Sequence, residues 1–305
     1  MATAITKTKK FKLKRKFLEK TERKLLRKDK IFTAVIITLS AITISPIVLI
    51  IYKLISSGYR QINIAFFTET SPDTYEAMLA VNEGNIIPGG ILNGITGTLF
   101  IVGMAALFAI PIGLLVGIFL YENGTKGYTN LIRNLTDIMQ GIPSIVLGLI
   151  AYFWVVKPIT SGFSALAASV ALAIMMLPLI IRSTEETLKM IPISIKEAGL
   201  ALGVPYYKIL FKVLIPTGLS GLLTGILLSI SRIVGETAPL MLTALGSMKV
   251  NFDIDKPTSA VPLLIWEFYN DPNMVDLIWS SSLFLMIFVL GLNLLSKRIL
   301  ANRSK

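Results

Sequence analysis

The sequence predicts an all-α integral membrane protein with six transmembrane helices and both termini on the cytoplasmic side. Composition is the first ground: of 305 residues, 53% are hydrophobic and 16% charged, too little polar surface to cover such a core in water. The second is the recurrence of apolar windows of about 19 residues, the length that crosses roughly 30 Å of hydrocarbon as a helix. Six occur, at residues 31–52, 98–121, 138–156, 163–181, 213–233 and 277–295, and Arg232 is the one charge inside them. The third is charge asymmetry. Six spans starting inside place 24 of the 30 Lys and Arg in inside segments and leave Lys53, Arg60, Lys157, Lys249 and Lys256 outside, the bias of basic loops that stay in the cytoplasm.

Residues 1–30 form a basic segment in which 13 Lys and Arg face Glu19, Glu22 and Asp29. A nucleic-acid arm is one use of such a run. A tail joined directly to a span more simply meets anionic lipid headgroups, at about 1 kcal/mol per basic residue near the surface, so the expected partner is membrane lipid and not nucleic acid. Phe11, Leu13, Phe17, Leu18, Leu25 and Leu26 let part of it lie as an interfacial helix. The window at 31–52 is too long for a signal-peptide core and no small-residue cleavage pattern follows it, so it reads as an uncleaved first span. Residues 31–305 then read as one transmembrane domain.

Absences narrow the chemistry. With no cysteine and no histidine, the chain has no disulfide, no thiolate or histidine metal site and no His-based acid–base pair. It has no GxxxxGK[ST] phosphate cradle either, so it is not itself a P-loop ATPase.

The loop from 53 to 93 carries Glu69, Asp73, Glu76 and Glu83 among turn formers and offers no evident chemistry. "PGGILNGITGTL", residues 88–99, opens the second span with glycines that permit a tight entry and close helix approach, and Pro111 should kink that span. Gly141 and Pro143 should break the third span near the cytoplasmic surface, which is tolerated only against protein or a wet cavity. Pro178 precedes Arg182, Glu185 and Glu186 at the end of the fourth. After the fifth, "GETAPLMLTALGSM" and "PTSAVPLLIWEFYN" are semi-apolar, proline-interrupted and suited to re-entrant segments.

The polar loop at about 190–216 is the most specified stretch. Ser194 and Glu197 have capping-box spacing, which predicts a short helix from Ile195. Gly203 and Pro205 should end it, and Ala198 and Gly199 leave part of its surface nearly bare. Read alone, this is an ordinary connector with a common cap. In combination, Glu197-Ala198-Gly199, then Gly203, then nine residues and "VLIP" at 213–216 resembles the EAA loop of ABC-importer permeases, with Gly199 replacing the second alanine and Val213 and Ile215 replacing Ile and Leu.

The resemblance extends to "PGGILNGITGTL", "GIPSIVLGL", "LPLIIRSTEETLKMIP" and "SRIVGETAPLMLTALG", which together are similar to the PstA permeases of bacterial phosphate importers, from residue 88 to 246. It implies a MetI-like permease fold in which Glu197, Ala198, Gly199 and Gly203 belong to a coupling helix that docks on a cytoplasmic ATPase. The implied partners are a PstC-like second permease, a PstB-like ATPase dimer and a PstS-like phosphate-binding protein. No cofactor is implied in this chain; ATP and Mg would be used by the ATPase. A permease for sulfate or molybdate would use similar arginine chemistry, and a non-transporting membrane scaffold is the alternative of another class.

Charges inside spans cost about 2.5 to 3.5 kcal/mol at mid-membrane, so they face protein or water. Arg232 is the candidate phosphate contact, since a guanidinium offers bidentate donors and stays charged; Glu236, four residues on, can pair with it. Gly218, Gly221, Gly225 and Ser229 continue that face, and close helix packing accounts for the glycines. Arg182 is placed equally well for a topology anchor and for function. The family resemblance favours an inner gate or transfer site made by Arg182 and Glu185; Glu186 and Lys189 read as solvated loop charges.

Overall fold

The computed structural model describes residues 2–124 and 126–303, with side chains for 28–124 and 126–298. The predicted apolar contacts of residues 11–26 lie outside the described side chains. Residues 1–56 and 57–305 form two units. The first is the greater part of α1 (Ala2–Gly58). Its apolar side chains between Ile31 and Ile51 are mostly exposed, as on a helix solvated by lipid. Its hydroxyls turn back onto the backbone: Thr38 donates to the Ala34 carbonyl at 2.8 Å and Thr43 to the Leu39 carbonyl at 2.9 Å, so neither is left unpaired in an apolar medium.

The second unit contains α2 (Ile64–Thr68), α3 (Thr74–Asn82), α4 (Leu92–Asn123), α5 (Gly127–Gly141) and α6 (Ser144–Ala151), which runs on as a π-helical stretch (Tyr152–Thr160). Then come α7 (Ala165–Lys189), α8 (Ile193–Ala201), α9 (Tyr206–Ile209), a second π-helical stretch (Leu210–Leu214) and α10 (Ile215–Val234). The chain closes with α11 (Ala238–Met241), α12 (Val261–Tyr269), a 3-10 turn (Pro272–Met274) and α13 (Val275–Arg303).

Five helices among the described residues are long and apolar enough to cross a bilayer, and six crossings result if a bent pair counts as one. That pair is α5 and the Ser144–Thr160 helix, which meet at 105°. The predicted third span at 138–156 is thus broken, as a sharp corner. Pro143 has no N–H and holds Ile142 extended, at φ −72° and ψ 130°, which ends α5 where Gly141 and Pro143 were expected to break it. α4 continues through Pro111.

α4 and α7 form the centre of this unit. Ala105, Ala109, Gly113 and Gly117 recur every four residues on one face of α4 and are all buried. A Cβ on Gly113 would stand 2.7 Å from Ile180, and one on Gly117 2.5 Å from Thr184. Ser169 donates to the Ile101 carbonyl at 3.1 Å. The contacting numbers rise together, so the two helices run parallel at a separation only small side chains allow. α10 packs antiparallel on α7: Gly221 meets Thr187, and Gly225 meets Ser183 so closely that a Cβ there would collide with the Ser183 side chain.

The two segments after α10 are short packed helices. Val261, Leu264 and Phe268 of α12 join Phe66, Ala77, Ile87 and Ile91 in one apolar cluster. The first N–H of α12, on Val261, is satisfied by the Thr98 hydroxyl at 2.9 Å. The free N–H groups at the start of α7 are met in the same way: Ala165 donates to the Lys256 carbonyl at 3.0 Å, Leu166 to the Ile254 carbonyl at 2.9 Å and Ala167 to the Ser164 hydroxyl at 3.2 Å. The loop from 243 to 258 thereby fixes the end of α7 remote from α8.

Candidate translocation and coupling site

α8 begins two residues before the capping-box spacing predicts. Its N-cap is Pro192, with no side-chain cap bond. Ser194 and Glu197 therefore both lie within the helix, and Ser194 no longer occupies the position from which a hydroxyl reaches the free N–H groups. The far end is as expected. Gly203 has φ +71°, its N–H donates to the Leu200 carbonyl at 2.9 Å, and the Val204 N–H donates to the Gly199 carbonyl at 3.2 Å. These two bonds close a helix through a left-handed glycine.

Glu197 and Ala198 are exposed. Gly199 is not the bare outer surface expected of it, because a Cβ there would stand 2.9 Å from Cδ1 of Ile209; its missing side chain lets α9 fold back against α8. Apolar exposure around the loop comes instead from Met190, Ile193 and Leu202, the last 82% exposed.

Arg182 and Glu185 share a face of α7 but only graze each other, Nη1 to Oε2 being 3.8 Å. Their nearer partners come from α5, which the sequence reading left without a role. Arg133 donates from Nε to Glu185 Oε1 at 2.8 Å and approaches the same oxygen from Nη2 at 2.7 Å. Lys189 reaches that oxygen at 2.6 Å, so it is bonded and not the purely solvated charge expected. Arg182 is engaged by Asp137, with Nε to Oδ1 at 3.0 Å.

Arg133 also donates to the Leu120 carbonyl at 3.1 Å and to Asn130 Oδ1 at 3.0 Å. It thereby ties the end of α4 to α5 and α7. Glu185 is 1% exposed, and its Oε2 accepts no hydrogen bond among the described residues. Thr129, Arg133 and Asp137 recur every four residues, a polar stripe that was available in the sequence as a signal of a helix facing charged neighbours.

Arg232 lies near the end of α10 and Glu236 just beyond it. They are 3.9 Å apart, a loose pair in which the arginine side chain is 46% exposed. The stripe of Gly218, Gly221 and Gly225 faces Thr187 and Ser183 of α7, so those glycines serve helix packing. Arg182 and Arg232 are not brought together. Gly225 is level with Ser183, which puts Arg232 seven residues, roughly 10 Å, further along the helix axis.

A family model described as binding-protein-dependent transport system inner membrane component matches residues 109–303, which include every one of these charged residues. The phosphate transport system permease protein PstA of Yersinia pestis is 35% identical over 83% of this chain and 83% of its own length. That of Haemophilus influenzae is 34% identical over 81% and 85% respectively. The chain belongs to the PstA family of binding-protein-dependent transport permeases. It is a multi-pass inner-membrane component, and its fold is the MetI-like permease fold: an inward-facing conformation of the MetNI methionine ABC transporter superposes with a TM-score of 0.57 at 25% identity, over 68% of this chain and 94% of that one.

Proposed function

We propose that the chain is one of two permease subunits of an ATP-driven importer that carries inorganic phosphate by alternating access. The observation that carries this reading is α8, a short exposed helix closed by Gly203 and joined to two long helices, in a chain without a nucleotide cradle. Force has to arrive there from another subunit. Similarity to permeases named for phosphate transport supplies the substrate. A PstB-like ATPase dimer using ATP and Mg docks around Glu197 and Ala198; a PstC-like permease forms the other wall of the path, and a PstS-like protein delivers phosphate.

In this reading Arg232 meets phosphate first and exchanges its loose contact with Glu236 for phosphate oxygens, a substitution of one anion for another at a constant guanidinium. Arg182 serves the later step, with Asp137 as its resting partner and Glu185 holding the surrounding cations in place. A path of this kind needs weak sites, since a tight one would slow release.

The test is ATP-dependent uptake of radiolabelled phosphate into vesicles holding the reconstituted complex, for wild type and Arg232→Gln, with sulfate and molybdate as competitors. Loss of uptake in an assembled variant, with wild-type uptake indifferent to both competitors, is the expected result. Wild-type vesicles that take up sulfate or molybdate in place of phosphate would overturn the substrate.

A further inference from the structure

We propose that Glu122, with Lys196 and Tyr206, is a positioning residue that ties the coupling helix α8 to the end of α4, so that movement of α8 is delivered to a helix it is not covalently joined to. The inference rests on the reading of α8 as the coupling helix.

Glu122 is the penultimate residue of α4. Both of its carboxylate oxygens are taken by the polar loop: Lys196 of α8 reaches Oε2 at 3.2 Å, and the Tyr206 hydroxyl donates to Oε1. The Lys196 ammonium also sits 4.9 Å from the Tyr206 ring centroid and 5.4 Å from that of Tyr121, so one cation is held by a carboxylate and two aromatic faces. Lys196 and Glu122 are 24% and 22% exposed. A charge-assisted bond at that depth is stronger than a surface pair. α8 itself has no buried residue, and the side-chain polar contacts it makes to other elements, among the described residues, are those of Lys196.

The placement explains why a link is needed. α8 is joined by the chain to α7 and, through α9, to α10. It is not joined to α4, whose end packs through Ile118 and Tyr121 on an apolar cluster of Leu188, Ile191, Ile209, Leu210 and Leu214 that contains no residue of α8, just past the close contact of Gly117 with Thr184. Glu122 lies five residues past that point, roughly 7 Å along the axis. The same end of α4 is also gripped by Arg133 at the Leu120 carbonyl. The end of α4 is thus clamped between the α5–α7 charge cluster and the coupling loop, and Glu122 is the part of the clamp that faces the loop.

The experiment compares wild type, Glu122→Gln, Glu122→Asp and Lys196→Met in reconstituted vesicles containing both permeases, the ATPase and the binding protein, with assembly checked by size-exclusion chromatography. ATP hydrolysis and phosphate uptake are measured on the same vesicles. Glu122→Gln and Lys196→Met should keep hydrolysis within about twofold while uptake per ATP falls about tenfold, the scale of a typical coupling between sites. Glu122→Asp should retain most of the ratio. A ratio unchanged in both Glu122→Gln and Lys196→Met would overturn the proposal, since a merely structural contact changes assembly and not stoichiometry.

Hydrogen exchange of the 193–204 backbone in the assembled complex is a second, substrate-independent readout. Faster exchange in Glu122→Gln is expected, and unchanged exchange counts against the tie even if wild-type vesicles prove to carry another anion.

Discussion

Arg133 of α5 and Glu185 of α7, 52 positions apart in the chain, meet at 2.7 Å with the glutamate 1% exposed. A buried pair of this kind adds little over a well-packed apolar pair, and removing Arg133 leaves the buried Glu185 with the half-exposed Lys189 as its one close cation among the described residues. Arg133→Met should therefore lower the stability of the solubilised protein by about 2 kcal/mol, the scale of a lost hydrogen bond to a charged group, read as a fall in Tm. Replacing both, as Arg133→Met with Glu185→Leu, should recover most of that loss. A double variant as unstable as the single one would mean that the pair is not what makes Arg133 necessary.

Gly225 and Ser183 set the distance between α10 and α7. An added Cβ at 225 has no room beside the Ser183 side chain, and overpacking of this sort costs about 2 kcal/mol. Gly225→Ala should lower Tm accordingly, and adding Ser183→Gly should recover part of it. Gly127→Ala, where a Cβ would meet nothing within 4 Å, is the matched control.

These two pairs mark what was legible in the sequence. The stop at Gly203 and the break at Pro143 were readable because both are decided by the backbone of one or two residues. The glycine stripe on α10 was readable because its helical spacing is local. The distant partner of Glu185 was not: helical spacing offers Arg182 and Lys189, and Lys189 does bond it, but nothing local says that Arg133 reaches the same oxygen. Ser194 and Glu197 failed for a related reason, since the spacing was right but Pro192 starts the helix earlier and moves both residues off their cap positions. Gly199 was seen as bare surface because Ile209 folds over it only once α9 turns back.

Glu267 of α12 predicts a pH response. Its carboxylate lies against Gly246, which has φ +88°, and burial raises its pKa from the ordinary 4.5 to about 7. The folded state thus holds this proton more tightly than the unfolded chain does. Its contribution to stability is fully present below about pH 4.5 and is lost as pH rises through about 7. Tm of the solubilised protein between pH 5 and 8 should decline less steeply in Glu267→Gln than in wild type; parallel curves would assign the decline to other groups.

Glu197 is exposed on α8 and has no place in the packing of the unit. Glu197→Lys should leave the stability of the isolated chain within about 0.5 kcal/mol of wild type, as surface changes do, while the ATPase no longer co-purifies. Gly203→Ala should lower both stability and ATPase retention: it strains a left-handed position by about 1 kcal/mol and misplaces the end of α8, on which the proposed docking rests. Retention of the ATPase by Glu197→Lys would move the docking surface elsewhere.

The corner at Pro143 also has a consequence for the surrounding lipid. The helix beyond it, Ser144–Thr160, has 17 residues, at most roughly 25 Å at the α-helical 1.5 Å each and shorter where Tyr152–Thr160 is π-helical, several ångströms less than an average hydrocarbon core. Its outward side chains Phe153 and Trp154 are more than half exposed, and Lys157 lies 5.6 Å from the Phe153 ring centroid, anchors that fix such a helix at the headgroup level. A crossing of that length fits a bilayer thinner than average, and in a thicker one its ends reach the headgroups through the long side chains of Trp154 and Lys157.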